Sequence, residues 1–308
     1  MQKAGAGMTS NYIVVGIGEI LWDVFPEWRR MGGAPVNFAY MCNQMGARGI
    51  PVSCIGRDEA GSDMLIAVTT LGLESGYIQE CATAPTGSVN VTLDHHQKPT
   101  YEIRRDVAWD LIVLSEKLQR LAPNVDAVCF GTLAQREEIS KAAIQTFVKM
   151  SPDTALKIFD VNLRQNFFSK QVIESSLELA NVLKVSDEEL PVLASMFQLK
   201  GEVFDKIRQL QDRFNLRLVA YTRGADGSML VTRDDVVDHP GFKPNAIDTV
   251  GAGDSYTATI CMGLLRQLPL DVVINHASRV AAFVCEQEGA TPVLPDDVRS
   301  NLEAAKEE

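Results

Sequence analysis

The feature that most restricts the fold of this chain is a rhythm. Short apolar runs rich in β-branched residues alternate with longer stretches whose apolar residues recur at helical spacing. YIVVGIG (12–18), IPVSCIG (50–56), DAVCFG (126–131), LKIFDVN (156–162), VLKVS (182–186) and LRLVAYTRG (216–224) read as strands. APVNFAYMCNQMGA (34–47), GSDMLIAVTTLGL (61–73), EEISKAAIQTFVKM (137–150) and SLELANVL (176–183) read as helices between them. Strands that are apolar on both faces need cover on both faces. The alternation therefore predicts an α/β fold, a mainly parallel sheet with helices on either side. No repeat, low-complexity linker or shift in composition divides the chain, so residues 1–308 read as a single domain.

One segment departs from the rhythm. TGSVNVTLDHHQKPTYEIRR (86–105) alternates with period two on both sides of a polar turn, which predicts an inserted antiparallel hairpin. Three uses are open to it: a lid over a ligand, a pairing surface for a second subunit, or a plain edge hairpin.

Composition narrows the partners. With 46% hydrophobic and 22% charged residues the chain can build an ordinary core. Its formal net charge of −11 argues against a nucleic-acid or anionic membrane surface. A small anion is not excluded, because backbone N–H groups or a bound cation can hold phosphate. The six cysteines form no CxxC pair and sit mostly in apolar surroundings, as reduced buried thiols do. The four histidines lack metal-ligand spacing, and His95 and His96 fall in the polar turn of the hairpin. The N-terminus has no apolar signal segment. The first apolar run is broken by Glu19 and Asp23, and no stretch could span a bilayer, so the expected location is cytoplasmic.

Five stretches could carry chemistry. In DTVGAGDSYTATICMGLL (248–265), Gly251 and Gly253 let the backbone approach a ligand, and a helix starting near Gly253 or Asp254 turns its unpartnered N–H groups toward it. That is an anion hole suited to a phosphoryl group in flight. Asp254 beside it is placed to receive the proton of an attacking alcohol, or else is only a helix cap. No GxxxxGK[ST] occurs, which argues against P-loop chemistry. The pair Gly32-Gly33 precedes a helix that carries Asn37, a residue able to donate to and accept from sugar hydroxyls or to cap locally. GIGEILWDVFP (16–26) begins like a dinucleotide fingerprint, but Leu21 stands where the third glycine belongs; Asp23 is left as an acid beyond the first strand. FDVNLRQNFF (159–168) sets Asp160, Asn162 and Arg164 at a spacing of two, so an extended segment would aim all three at one ligand. YTRGADGS (221–228) ends a strand at Thr222 and turns at Gly224 and Gly227, as a phosphate-side loop or any β-hairpin would.

Taken in order, these stretches resemble the ribokinase-like, phosphofructokinase-B type carbohydrate kinases from about Ile13 to Pro295. DTVGAGDSYTA resembles the family's C-terminal signature, and GGAPVNFAYMCNQMGARGIPVSCIGRDEAG its N-terminal glycine signature. GEILWDVFP, GGAPVNFA, VAWD and FDVNLR are most similar to bacterial fructokinases. The resemblance implies a three-layer α/β/α sandwich with a small inserted β-lid over residues 20–34 and 86–108, often paired through that lid in a homodimer. It implies Asp254 as catalytic base and the amides of Gly251, Ala252 and Gly253 as anion hole. Asp23, Gly32, Gly33, Asn37 and Arg164 would face the substrate. Ser186, Thr222, Gly224, Gly227 and Ser278 would lie along ATP. Mg²⁺ would arrive with ATP, with Glu189 organising its water. Asp248, Val250, Val284, Gln287 and Gly289 match a monovalent-cation site for K⁺.

Two positions depart from the pattern. Ser186 stands where relatives commonly carry Asn, and Val293 replaces a small polar residue near the cation site. The expected activity is transfer of the γ-phosphate of ATP to a primary hydroxyl, fructose preferred. The rivals are 2-keto-3-deoxygluconate, ribose, a phosphosugar or a nucleoside, and a sugar or nucleotide sensor without turnover. Arg29, Arg30, Arg104 and Arg105 would serve a phosphosugar; Trp22, Phe25, Trp28 and Trp109 would wall a nucleoside.

Overall fold

The computed structural model describes residues 12–93 and 99–299. The N-terminal segment and most of the expected polar turn, with His95 and His96, lie outside the described residues.

The chain opens with β1 (Ile13–Ile17), β2 (Leu21–Val24) and β3 (Arg29–Gly32), then α1 (Ala34–Gln44), β4 (Arg48–Gly56), α2 (Glu59–Thr70) and β5 (Ile78–Cys81). The inserted segment gives β6 (Ser88–Leu93) and β7 (Pro99–Ile103). Strict alternation resumes with α3 (Glu116–Leu121), β8 (Ala127–Phe130), α4 (Glu138–Met150), β9 (Leu156–Asp160), α5 (Lys170–Leu179) and β10 (Val182–Ser186). After α6 (Leu190–Phe197) and α7 (Val203–Phe214) come β11 (Leu218–Thr222), β12 (Ser228–Val231) and β13 (Val236–His239), and the chain closes with α8 (Ala252–Leu265) and α9 (Leu270–Cys285).

A nine-stranded sheet runs in the order β13-β12-β11-β10-β9-β8-β1-β4-β5, parallel except at the β11, β12 and β13 edge. Its two faces separate the core. Val14 packs with residues of α1, α2, α8 and α9, whereas its neighbours Val15 and Ile17 pack with residues of α3 to α7. All three are fully buried. Successive side chains point to opposite faces, so a strand covered on both sides must be apolar throughout. This is the expected three-layer α/β/α arrangement. A separate four-stranded sheet, β3-β2-β6-β7, joins the expected hairpin to the segment after β1, with β2 and β6 parallel.

Two boundaries differ from expectation. SLELANVL is helical only to Leu179, and Val182 and Leu183 belong to β10. Asn181 makes the break: its Oδ1 accepts from the Lys157 N–H and its Nδ2 donates to the Ala155 carbonyl. Helix α8 starts at Ala252, earlier than Gly253 or Asp254, because Gly251 already takes the left-handed cap position. No helix among the described residues is long and apolar enough to cross a membrane.

Candidate active site

Parallel strands with right-handed crossovers put their loops and helix starts at the carboxyl edge of the sheet, where α/β ligands bind. There the first turns of α1 and α8, the loops after β1, β9 and β10, and the small sheet enclose a cavity of about 1010 Å³.

The start of α8 forms one wall. Gly251 sits at φ 81°, and a Cβ there would lie 2.5 Å from that of Ala290. The turn spends the Ala252 N–H on the Thr249 carbonyl at 3.3 Å. The N–H groups of Gly251, Gly253 and Asp254 have no partner among the described residues. The open amides therefore differ from the Gly251, Ala252 and Gly253 set in one member, Asp254 in place of Ala252. Asp254 stands in this first turn, and Asn37 Nδ2 donates to its Oδ2 at 2.8 Å. Asn37 is 3% exposed, and its Oδ1 has no partner. It thus orients the acid as well as facing the cavity, a task its spacing did not announce.

The start of α1 forms the facing wall with Gly32 and Gly33. Asp23 projects from β2 into the same space, half-buried, its carboxyl raised by burial and only partly relieved by Arg30. Glu19, which motif reading passed over, also lines the cavity. It is 3% exposed, and only Gly18 separates it from the end of β1. Its carboxyl accepts from the Ala34 N–H, yet Oε2 has no partner. Burial pushes its pKa up to about 7, with Arg164 opposing and Asp254 reinforcing the rise. The available signal was a carboxylate inside a run of otherwise buried residues.

The loop after β9 does not stay extended. Asn162 and Gln165 are left-handed, at φ 46° and 48°. The period-two expectation for Asp160, Asn162 and Arg164 therefore fails. Asn162 and Arg164 line the cavity, while Asp160 is 5% exposed beneath it and pairs with Lys184 at 3.0 Å. Lys184 was also passed over, although a lone lysine in the middle of a buried strand is a signal.

Of the residues expected beside the nucleotide and its Mg²⁺ water, Ser186 and Glu189 line the cavity. The Glu189 carboxylate accepts from the Leu163 and Ser186 N–H groups at 2.9 and 2.8 Å, which fixes it and leaves lone pairs free. Those lone pairs fit a Mg²⁺-bound water. Thr222, Gly224, Gly227 and Ser278 lie outside the cavity lining. TRGADG is the connection of an antiparallel pair, β11 to β12, and Gly227 is packed against the His239 carbonyl. Ser278 lies next to Ser228 at 3.4 Å.

At the expected cation site the Asp248 carboxylate is already paired. Asp248 receives Arg30 Nη1 from β3 and the Gly289 N–H on one oxygen, and the Val250 N–H on the other. Burial alone would raise its pKa, but these partners pull it below the ordinary carboxylate range. A guanidinium already supplies the positive charge there. The Val284 carbonyl is engaged by the Gln287 N–H, and Val293 is 71% exposed.

The chain matches the family model for pfkB family carbohydrate kinases over residues 19–297. It is 25% identical to a rice (Oryza sativa subsp. japonica) protein named fructokinase-1, across 93% of this chain and 95% of the rice protein. The fold superposes on an uncharacterised sugar kinase of Pyrococcus horikoshii with a TM-score of 0.79 at 25% identity, covering 94% and 99% of the two chains. It superposes on a fructokinase of Xylella fastidiosa with bound ATP with a TM-score of 0.83 at 21% identity, covering 96% and 99%.

Proposed function

This chain belongs to the pfkB family of carbohydrate kinases, and from that premise we propose that it transfers the γ-phosphate of ATP to a primary hydroxyl of a small neutral sugar, fructose preferred. One observation carries the reading: Asp254, held by Asn37, stands in the same helical turn as three unpartnered amides, at one cavity wall. The sugar lies between the α1 start and the small sheet, with its hydroxyls toward Asp23, Asn37 and Arg164. ATP lies across the α8 start toward Ser186, Thr222, Gly224, Gly227 and Ser278. Asp254 takes the proton of the attacking hydroxyl, and the amides of Gly251, Gly253 and Asp254 receive the phosphoryl oxygens. Glu189 would hold a water of Mg²⁺ carried in with the nucleotide, and the ion would offset phosphate charge there. The small sheet, built from residues 20–34 and 86–108 of one kinase domain, acts as a lid that excludes water. Its exposed tip at Trp28 suits pairing of two lids in a homodimer. The location that fits this reading is the cytoplasm.

Several placements support a neutral sugar. Glu19, Asp23 and Asp254 line the cavity with Arg164 and Lys184, so an acid sugar meets little net positive charge. The arginines suited to a phosphosugar are engaged elsewhere: Arg29 with Asp63, Arg30 with Asp248, and Arg105 over the Phe167 ring. None of the aromatics expected to wall a nucleoside lines the cavity; Phe25 and Trp28 stack on each other, and Trp109 is buried. The test is a coupled assay of ATP consumption with fructose, ribose, 2-keto-3-deoxygluconate, adenosine and fructose phosphate. Fructose should give the highest kcat/KM. A large preference for fructose phosphate overturns the substrate, and tight binding without turnover of any sugar favours a sensor.

A further inference from the structure

We propose that Lys184 is a further catalytic residue, a fixed ammonium beneath the open helix start that binds the non-bridging oxygens of the phosphoryl group during transfer. The inference rests on the kinase reading above.

Lys184 lies in β10 opposite Asp160 of β9 in parallel register. Both side chains project toward the α8 face of the sheet. The ammonium lines the cavity and lies directly under Gly253: a Cβ built on that glycine would be 3.4 Å from Nζ. An ammonium has three N–H donors. Among the described residues Lys184 has one acceptor, Asp160 Oδ1 at 3.0 Å. The remaining donors have none, at the wall where the Gly251, Gly253 and Asp254 amides are also open.

The ammonium is held to α8 by a relay. Asp160 Oδ2 accepts from Thr257 Oγ1 at 2.8 Å, and Thr257 Oγ1 also reaches the Gly253 carbonyl at 3.0 Å. Position is thus fixed before any ligand arrives, which is what makes a charge effective in a transition state. Burial works against the charged lysine, but the Asp160, Glu189 and Asp254 carboxylates outweigh it and keep the group protonated. Stability does not explain the pair. Replacing a buried ion pair by apolar residues is often neutral or stabilising.

In the step, the acceptor oxygen forms a bond to phosphorus as the bond to the ADP oxygen breaks. The hydroxyl proton passes to Asp254. Lys184 gives up no proton and offsets charge on the oxygens that neither attack nor leave.

Removing Lys184 alone strands a buried Asp160, so the test variant is the double Lys184→Met/Asp160→Asn. It should remain folded, keep sugar KM within about threefold, and lose kcat by about 10²-fold or more, the range for one oxyanion-type donor. A folded double variant with kcat within threefold of the parent overturns the proposal. A second measurement uses the unaltered protein. The ¹⁵N signal of the Lys184 ammonium should shift when ADP, Mg²⁺, aluminium fluoride and the sugar of highest kcat/KM in the assay above are added together, and not with ADP and Mg²⁺ alone. An unmoved signal overturns the proposal whatever the variant does. The two readings fail differently: turnover without dependence on Lys184 sinks this inference alone, whereas a parent protein that consumes no ATP with any sugar sinks both.

Discussion

Helices α1 and α8 present their first turns to the same cavity, and their starts are built alike but finished differently. Each begins at a glycine of positive φ, Gly33 at 124° and Gly251 at 81°, and neither has a side-chain cap. At α1 the chain brings its own acid: the Glu19 carboxyl takes the Ala34 N–H, Pro35 has no N–H to offer, and the next two amides bond to the Gly33 carbonyl. At α8 the amides stay open, with Asp254 beside them and Lys184 below. A helix N-terminus is an anion site by default. The difference teaches that two helix starts with the same glycine turn need not both be anion sites: what decides is whether the chain supplies its own partner to the amides. In the proposed reaction the closed start faces the sugar hydroxyls and the open start the phosphoryl group.

The largest break in this contrast comes from the acid at the open start. Asp254→Asn should lower kcat by about 10³-fold while sugar KM changes little, as expected when a general base is lost. Steady-state kinetics check this, and a near-native kcat with an unchanged pH profile would remove Asp254 from the role of base.

The closed start is tested through pH. Glu19 is a carboxyl whose pKa rises from 4.5 to about 7 on folding. The native state then binds its proton more tightly than the unfolded chain does. Stability from this group is present below 4.5 and is lost as pH rises through 7, to a total of about 3 kcal/mol. Glu19→Gln removes that loss, so its stability relative to the parent should grow between pH 4.5 and pH 8. Denaturant unfolding at several pH values measures it; a difference that stays flat would show that Glu19 does not titrate this way.

A smaller effect concerns the loop that leads into the open start. Because Arg30 already sits on Asp248, turnover should change by less than about twofold when K⁺ is replaced by choline. Arg30→Met should lose about tenfold in kcat and recover part of it with K⁺, a step near 1.4 kcal/mol. A parent enzyme that needs K⁺ would refute the assignment.

The smallest effect is spectroscopic. Titration with inorganic phosphate should move the amide signals of Gly251, Gly253 and Asp254 and leave Ala34 in place. In Glu19→Ala, the Ala34 signal should move as well. Equal movement at both starts in the parent would erase the distinction between them.

The sequence by itself determined the layered parallel sheet, because strands covered on both faces must be apolar at every position, and runs such as YIVVGIG leave no other reading. It also determined the bare turn and helix start around Gly251 and Gly253, since these are local, while the stretch alone left Asp254 open as base or cap. What only the tertiary structure decided depends on side chains far apart in the chain. Asn37 meets Asp254 across 217 positions, and Arg30 meets Asp248 across 218. Lys184 and Asp160 become partners only when two strands pair in register. The left-handed turn at Asn162 redirected a segment that period-two spacing would have kept straight. Spacing specifies which way a residue points within its own element. The charge it meets there is set by packing between elements, and for Glu19 and Lys184 that packing decides their place beside the chemistry.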